Sequence, residues 1–121
     1  MSQTQLKYFK RFEKQIILKN IGLAGQKKIQ SGNVLIIGIG GLGCPLITYL
    51  AASGIGKIGI VDFDKIEISN LNRQVLFNEN DIGKFKISQA KKVITKLNKD
   101  VKLVLFKSKV TKNNIKKICD K

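Results

Sequence analysis

The stretch VLIIGIGGLGCP, residues 34–45, constrains this chain more than any other. A run of branched residues, apolar on both faces, ends in four glycines within six positions, Gly38 to Gly43. Short apolar runs bounded by turn residues read as buried strands of a parallel sheet. Gly38, Gly40 and Gly43 have the G-x-G-x-x-G spacing, and each would serve a different need. The first permits a tight turn, the second lets phosphates reach the backbone, and the third lets a helix pack closely on the strand. The N–H groups that open such a helix lack intrahelical partners and attract phosphate oxygens. Pro45 falls in the first helical turn, where its missing N–H costs nothing. LITYLAAS then carries the helix to Gly54, a natural left-handed cap.

The order repeats further on. KIGIVD reads as a second strand and KLVLF as a third, with ISQAKKVITKLN between them as a helix. Ile87, Ala90, Ile94 and Leu97 share one face of that helix. KNNIKKICDK reads as the start of another, and residues 64–86 are polar and irregular, with a turn-like piece at SNLNRQ. Ahead of the first strand, Leu6, Phe9, Ile16 and Ile17 fall near one helical face, and GQKKIQS reads as a short second helix. Strands alternating with helices make the class α/β, a Rossmann-like doubly wound parallel sheet. The expected organisation is a helical segment, 1–32, followed by an incomplete Rossmann-like nucleotide-binding domain, 33–121. It would supply strands 3-2-1 of the usual 3-2-1-4-5-6 order and leave NVLIIG at an open edge.

Composition narrows the function. With 43% hydrophobic and 26% charged residues, the chain is expected to fold rather than stay disordered. No apolar run is long enough to span a membrane, and MSQTQLKYFK has no signal-peptide core, so a cytoplasmic location is expected. The net charge of +15 invites a nucleic-acid reading. Its lysines, however, are scattered, only Arg11 and Arg73 are arginines, and no groove-reading motif accompanies them, so nucleic acid is not an expected partner. ATP or an acidic protein fits the charge equally well. Cys44 and Cys119 are distant and the chain has no histidine, which excludes a local zinc site. Cys44, in an apolar turn, reads as a buried structural thiol. No metal ligand is assigned.

Asp62 ends the second strand about 20 residues after the glycines, where a carboxylate accepts hydrogen bonds from ribose hydroxyls. To this point an NAD-dependent dehydrogenase and an ATP-using enzyme explain the residues equally. The next loop separates them. DFDKIEISNLNRQ supplies Asp64, Asn70, Arg73 and Gln74, and DIGKFK adds Lys84 and Lys86. Reaction at an α-phosphate builds charge on its oxygens and on the departing pyrophosphate, which guanidinium and ammonium groups stabilise. Arg73 and Lys86 are candidates for that role, and this favours ATP. The plainer alternatives are Arg73 paired with Asp64 or Glu67, and Lys86 solvated at a helix start.

RFEKQIIL, GIGGLGCP, DFDKIEISNLNRQ and DIGKFKISQA occur in an order and spacing that resembles the adenylating enzymes related to ubiquitin-activating E1, the ThiF, MoeB and HesA adenylyltransferases. The resemblance covers nearly all of residues 8–121, and SNLNRQ is its most specific part. Its nearest branch activates small sulfur-carrier proteins for molybdopterin and thiamine synthesis. The resemblance implies that ATP, with Mg2+, converts the C-terminal glycine carboxylate of a ubiquitin-like carrier protein into an acyl-adenylate. It assigns Gly41 with Gly38, Gly40, Leu42 and Gly43 to the nucleotide, and Asp62 to the ribose. Asn70, Arg73 and Lys86 fall to the phosphates, with Asp64 and Gln74 beside them. Arg11 and Lys14 match an N-terminal R-x-x-R whose second arginine reaches into the partner subunit's site, which implies a homodimer and adds Lys14 to Arg73 and Lys86 as a catalytic candidate. Lysine at 14 replaces a planar fork by a point charge. The magnesium-binding aspartate, the zinc-binding cysteine pairs and the carrier surface are implied to lie beyond Lys121, so these 121 residues are expected to be inactive alone. Three alternatives stand beside this reading: a related branch that dehydrates threonylcarbamoyladenosine in tRNA, an NAD-dependent oxidoreductase, and a non-catalytic nucleotide-binding fragment.

Overall fold

A computed structural model describes all of residues 1–121. The elements in order are α1 (Gln3–Ile16), α2 (Gly22–Ser31), β1 (Asn33–Ile37), α3 (Gly43–Ser53), β2 (Lys57–Val61), α4 (Lys86–Leu97), β3 (Lys102–Phe106) and α5 (Ile115–Cys119). The sheet has the order β1-β2-β3 with both pairs parallel, in register from Asn33, Lys57 and Lys102 to Ile37, Val61 and Phe106. All strands therefore start at one end of the sheet and finish at the other. The two crossovers place α3 and α4 on one face, where they pack on each other.

Alternation along the strands decides what that face buries. Ile36, Ile58 and Ile60 form the core with Ile47 and Ala51 of α3 and Ala90 and Ile94 of α4. The other row, Leu35, Val104 and Phe106, is half-buried, and Ile37 is exposed. β1 departs from the expected buried strand: only Ile36 is fully buried, whereas central β2 is buried from Ile58 to Val61. The two strands have similar composition, and position in the sheet separates them. On α4, Ile87, Ala90 and Ile94 are buried as expected, but Leu97 in the last turn is exposed.

Helix α1 starts earlier than its apolar pattern suggests, because Ser2 and Gln5 cap it reciprocally. Ser2 Oγ accepts from the Gln5 N–H at 3.1 Å, and Gln5 Oε1 accepts from the Ser2 N–H at 2.8 Å. The expected stripe is only partly covered: Phe9 and Ile16 are half-buried, and Leu6 and Ile17 are exposed. Phe12 is the one buried residue of α1, and its ring lies so close to Gly54 that a Cβ there would stand 2.7 Å away. Polar groups complete the attachment. Gln15 Nε2 donates to Gln26 Oε1 at 2.7 Å and to the Ser53 carbonyl at 3.0 Å, and Gln26 Nε2 donates to the same carbonyl at 2.9 Å. The α1–α2 pair is thereby joined to the end of α3, at the amino ends of the strands. Lys57 Nζ, bonded to the Lys121 carbonyl, brings the α5 end there too. No helix is long and apolar enough to cross a membrane.

Candidate functional site

Most of the predicted residues gather at the carboxyl ends of the strands. Gly38 takes φ +90° and donates its N–H to the Val61 carbonyl at 2.8 Å, turning the chain out of the sheet. A Cβ at Gly43 would stand 2.1 Å from the Gly38 carbonyl oxygen, so only glycine lets α3 begin this close to β1. The Ile39 N–H donates to Asp62 Oδ2 at 2.8 Å and the Cys44 N–H to the Gly40 carbonyl at 3.0 Å. Between them, the N–H groups of Gly40, Gly41, Leu42 and Gly43 donate to no acceptor in the protein. Successive free donors opening an 11-residue helix form a nest for an anion, and the helix dipole adds positive potential.

The neighbouring side chains fall into three kinds. Asp62 is buried and braces the turn: besides Ile39, its Oδ1 accepts from the Asp64 N–H at 2.7 Å. Asn70 is turned on its own loop, Oδ1 accepting from the Glu67 N–H at 2.9 Å. Arg73 lies against the nest, its Cδ 3.4 Å from where a Cβ of Gly41 would be. Arg73 Nη1 donates to the Ser69 carbonyl at 3.0 Å and to Asn72 Oδ1 at 2.9 Å, and it pairs with neither Asp64 nor Glu67. The third kind is unsatisfied. Gln74 is 3% exposed, its Nε2 is 4.0 Å from a Cβ position on Gly40, and its Oε1 has no hydrogen-bond partner. Native proteins rarely leave such an atom alone, so it marks a place where a ligand or water is needed.

Lys86 is not the solvated lysine of the plainer reading. It is 6% exposed, and its ammonium faces Asp64 Oδ2 at 3.8 Å. Beneath the nest, Cys44 is fully buried. Burial pushes its thiol pKa up, against a backbone hydrogen bond at Leu76 and the positive charge of Lys86, which lower it; Asp62 raises it further.

Arg11 and Lys14 do not join this group within one chain. Arg11 Nη2 donates to the Leu97 carbonyl at 2.6 Å, at the opposite end of the 12-residue α4 from Lys86. That places about 16–18 Å of helix between the two cations. Lys14, one turn further along α1, is exposed and makes no ion pair. The set suits a phosphate-bearing nucleotide: free N–H donors and a buried cation for phosphate oxygens, and the orphan Gln74 Oε1 as an acceptor for a donor beside them. It offers magnesium little, because no three acidic or sulfur side chains converge and Asp62 is already engaged.

Residues 12–121 match the model of the ThiF family. The chain belongs to the ThiF family. Adenylyltransferase and sulfurtransferase MOCS3 of Aedes aegypti is 42% identical to it over 104 residues, covering 86% of this chain and 24% of that protein. A probable molybdopterin-synthase adenylyltransferase of Porphyra purpurea is 47% identical over 109 residues, covering 90% and 28%. The chain spans about a quarter of the length of these curated relatives. Among solved structures, PaaA superposes with a TM-score of 0.81 at 32% identity, over 92% of this chain and 36% of that one. The ATP complex of E. coli tRNA N6-threonylcarbamoyladenosine dehydratase gives 0.87 at 24% identity, over 94% and 46%. That second likeness speaks for the fold, which is Rossmann-like as expected.

One buried polar group and one exposed cluster escaped the sequence reading. Gln26 sits among lysines in a helix of mixed polarity, and nothing in its spacing distinguishes it from a solvated glutamine. Lysines clustered on Phe63 and Phe85 were also missed, because the contacts join segments far apart in sequence.

Proposed function

We propose that this ThiF-family chain is the nucleotide-holding part of an adenylyltransferase that activates the C-terminal carboxylate of a ubiquitin-like sulfur-carrier protein, in molybdopterin synthesis. The row of four free N–H groups at Gly40–Gly43 carries the reading, because it calls for phosphate oxygens rather than for any protein group. The names of the relatives support adenylyl transfer and the molybdopterin branch. An oxidoreductase leaves Arg73 and the buried Lys86 without work.

In the proposed reaction a carboxylate oxygen of the carrier attacks the α-phosphorus, the bond to pyrophosphate breaks, and an acyl-adenylate forms. The nest holds phosphate oxygens, with Gln74 Oε1 completed by a donor from the bound nucleotide or its water. Lys86, shielded from water, and Arg73, on the rim, neutralise charge on the phosphates as it shifts to the leaving group. Asp62 presents its remaining lone pairs to the ribose while fixing the turn. Magnesium would neutralise phosphate charge when bound, and no residue of this chain is assigned to it.

ATP–pyrophosphate exchange tests the reading in the protein that carries this segment. Exchange should require the carrier and vanish when its terminal glycine is removed; exchange indifferent to the carrier would refute the proposal. A homodimer completes it, with Lys14 acting on the partner's phosphates, since its own nest is out of reach. Lys14→Ala and Lys86→Met subunits, each nearly inactive, should recover roughly a quarter of wild-type activity when mixed equally, because about half the dimers hold one intact site. No recovery after verified subunit exchange would place Lys14 outside the reaction.

A further inference from the structure

A second feature lies at the same end of the sheet. Lys107 Nζ is 4.2 Å from the centroid of the Phe85 ring, Lys65 Nζ is 5.2 Å from the same ring, and Lys109 Nζ is 5.1 Å from that of Phe63. An antiparallel bridge joins Lys65 to Phe85, so the cluster shares its backbone with Asp64 and Lys86. All three lysines are exposed, and none has an ion pair; the chain's salt bridges are Lys84–Asp81 and Lys86–Asp64. The two ammoniums on Phe85 lie no further apart than about one Debye length, roughly 8–10 Å, and therefore repel. The ring offsets only part of that repulsion while holding the charges in place. An anion set among them removes the rest.

We infer that the rim of Lys65, Lys107 and Lys109 on Phe63 and Phe85 docks an acidic segment of the protein substrate, steering its carboxyl terminus to the adjoining nest. The identity of that partner rests on the proposed adenylation. Its chemistry rests on the rim itself. The rim has no arginine, whose planar fork suits phosphate, and its lysines are point charges equally suited to single carboxylates. Phe85 already carries two ammoniums and Phe63 one, so neither ring is a free platform for stacking bases. With 23 basic against 8 acidic residues, the chain as a whole draws such a partner in.

The test compares two triple reversals of equal charge in the whole protein. One is Lys65→Glu, Lys107→Glu and Lys109→Glu; the other changes Lys10, Lys19 and Lys27, exposed on the α1–α2 pair, to Glu. The rim variant should weaken binding of a labelled oligoglutamate peptide by about tenfold or more, and the other by less than about threefold. It should also raise KM for the carrier in pyrophosphate exchange without lowering kcat. Equal losses in both variants would mean that net charge alone binds. An oligouridylate of equal charge, bound as tightly and lost with the rim, would make it a phosphate surface instead and overturn the inference. Rim-dependent oligoglutamate binding in a protein with no exchange activity would keep the acidic-peptide surface and remove adenylation.

Discussion

The two ends of the sheet are built from the same strands and treat their polar groups in opposite ways. At the amino end every key group is answered inside the chain. Gln15 and Gln26 share the Ser53 carbonyl, Arg11 takes the Leu97 carbonyl, and the buried Asn98 Nδ2 donates to the Ala51 carbonyl at 2.9 Å. At the carboxyl end four successive N–H groups and one buried amide oxygen have no partner in the protein, and the buried Lys86 ammonium has only Asp64, at 3.8 Å. Leaving a buried polar group unpaired costs about 1–3 kcal/mol. A fold keeps such groups where something from outside supplies the partner. The amino end therefore holds the molecule's own helices, and the carboxyl end leaves room for a partner from outside, the role proposed above for a nucleotide.

Lys86→Met should break this contrast most sharply. Methionine fills the lysine's space without its charge, and Asp64 keeps access to water with its side chain 53% exposed. Replacing a buried ion by an apolar group of similar volume is often neutral or stabilising. The variant should melt within about 1 kcal/mol of wild type, while carrier-dependent exchange falls by roughly 10²–10³-fold. Parallel loss of stability and activity would make Lys86 a structural residue.

Glycine substitutions sharpen the comparison next. A Cβ at Gly43 meets the Gly38 carbonyl at 2.1 Å, and one at Gly56, at the amino end, meets the Gln30 carbonyl at 1.9 Å. Gly43→Ala and Gly56→Ala should each destabilise by about 3 kcal/mol, measured by urea unfolding. At Gly41 the added methyl finds ordinary contact with Arg73. Gly41→Ala should fold within about 1 kcal/mol of wild type and yet bind ATP on the order of tenfold more weakly, by crowding a free N–H. Unchanged affinity would mean that phosphates do not approach there.

These glycines explain why the carboxyl end was legible in the sequence. A φ of +90° at Gly38 and a backbone contact at Gly43 can be met by one residue type, so local chemistry leaves a local signature. The alternation of strands and helices was legible for a similar reason, since burial periodicity follows from geometry within each element. The amino end hid its logic. Phe12 rather than Leu6 or Phe9 is buried, because what decides it is the space beside Gly54, some forty residues away. Lys86 was legible as a candidate but not as a buried one, and Asp62 not as the brace of the turn. Both facts depend on how the loop after β2 folds back on α4.

Gln26 carries the third test, from the satisfied end. Gln26→Leu keeps the volume and removes the links to Gln15 and Ser53. The Ser53 carbonyl retains Gln15 as a donor, so the loss should be about 1–2 kcal/mol. ATP affinity per folded molecule should not change. A drop in affinity would show that the two ends communicate through α3.

The smallest effect should come from the thiols, one at each end. Cys119 is exposed and should react with a thiol reagent at once; Cys44, fully buried under the nest, should react only when the carboxyl end opens. Burial is also the main reason that the Cys44 pKa is raised. Its folded value lies above its unfolded one, so the native state binds the thiol proton more tightly. The stability this contributes is fully present below the ordinary thiol range and is lost as pH rises through the raised value. The stability difference between wild type and Cys44→Ala should thus stay constant from about pH 6 to 8 and shrink above about pH 9. Lys86 opposes the shift, so combining Lys86→Met with each protein should leave the onset of that shrinkage in place, carry it on to higher pH and deepen it. A difference that stays flat through the alkaline range would mean that Cys44 keeps contact with water, and that the ground beneath the nest is as open as its rim.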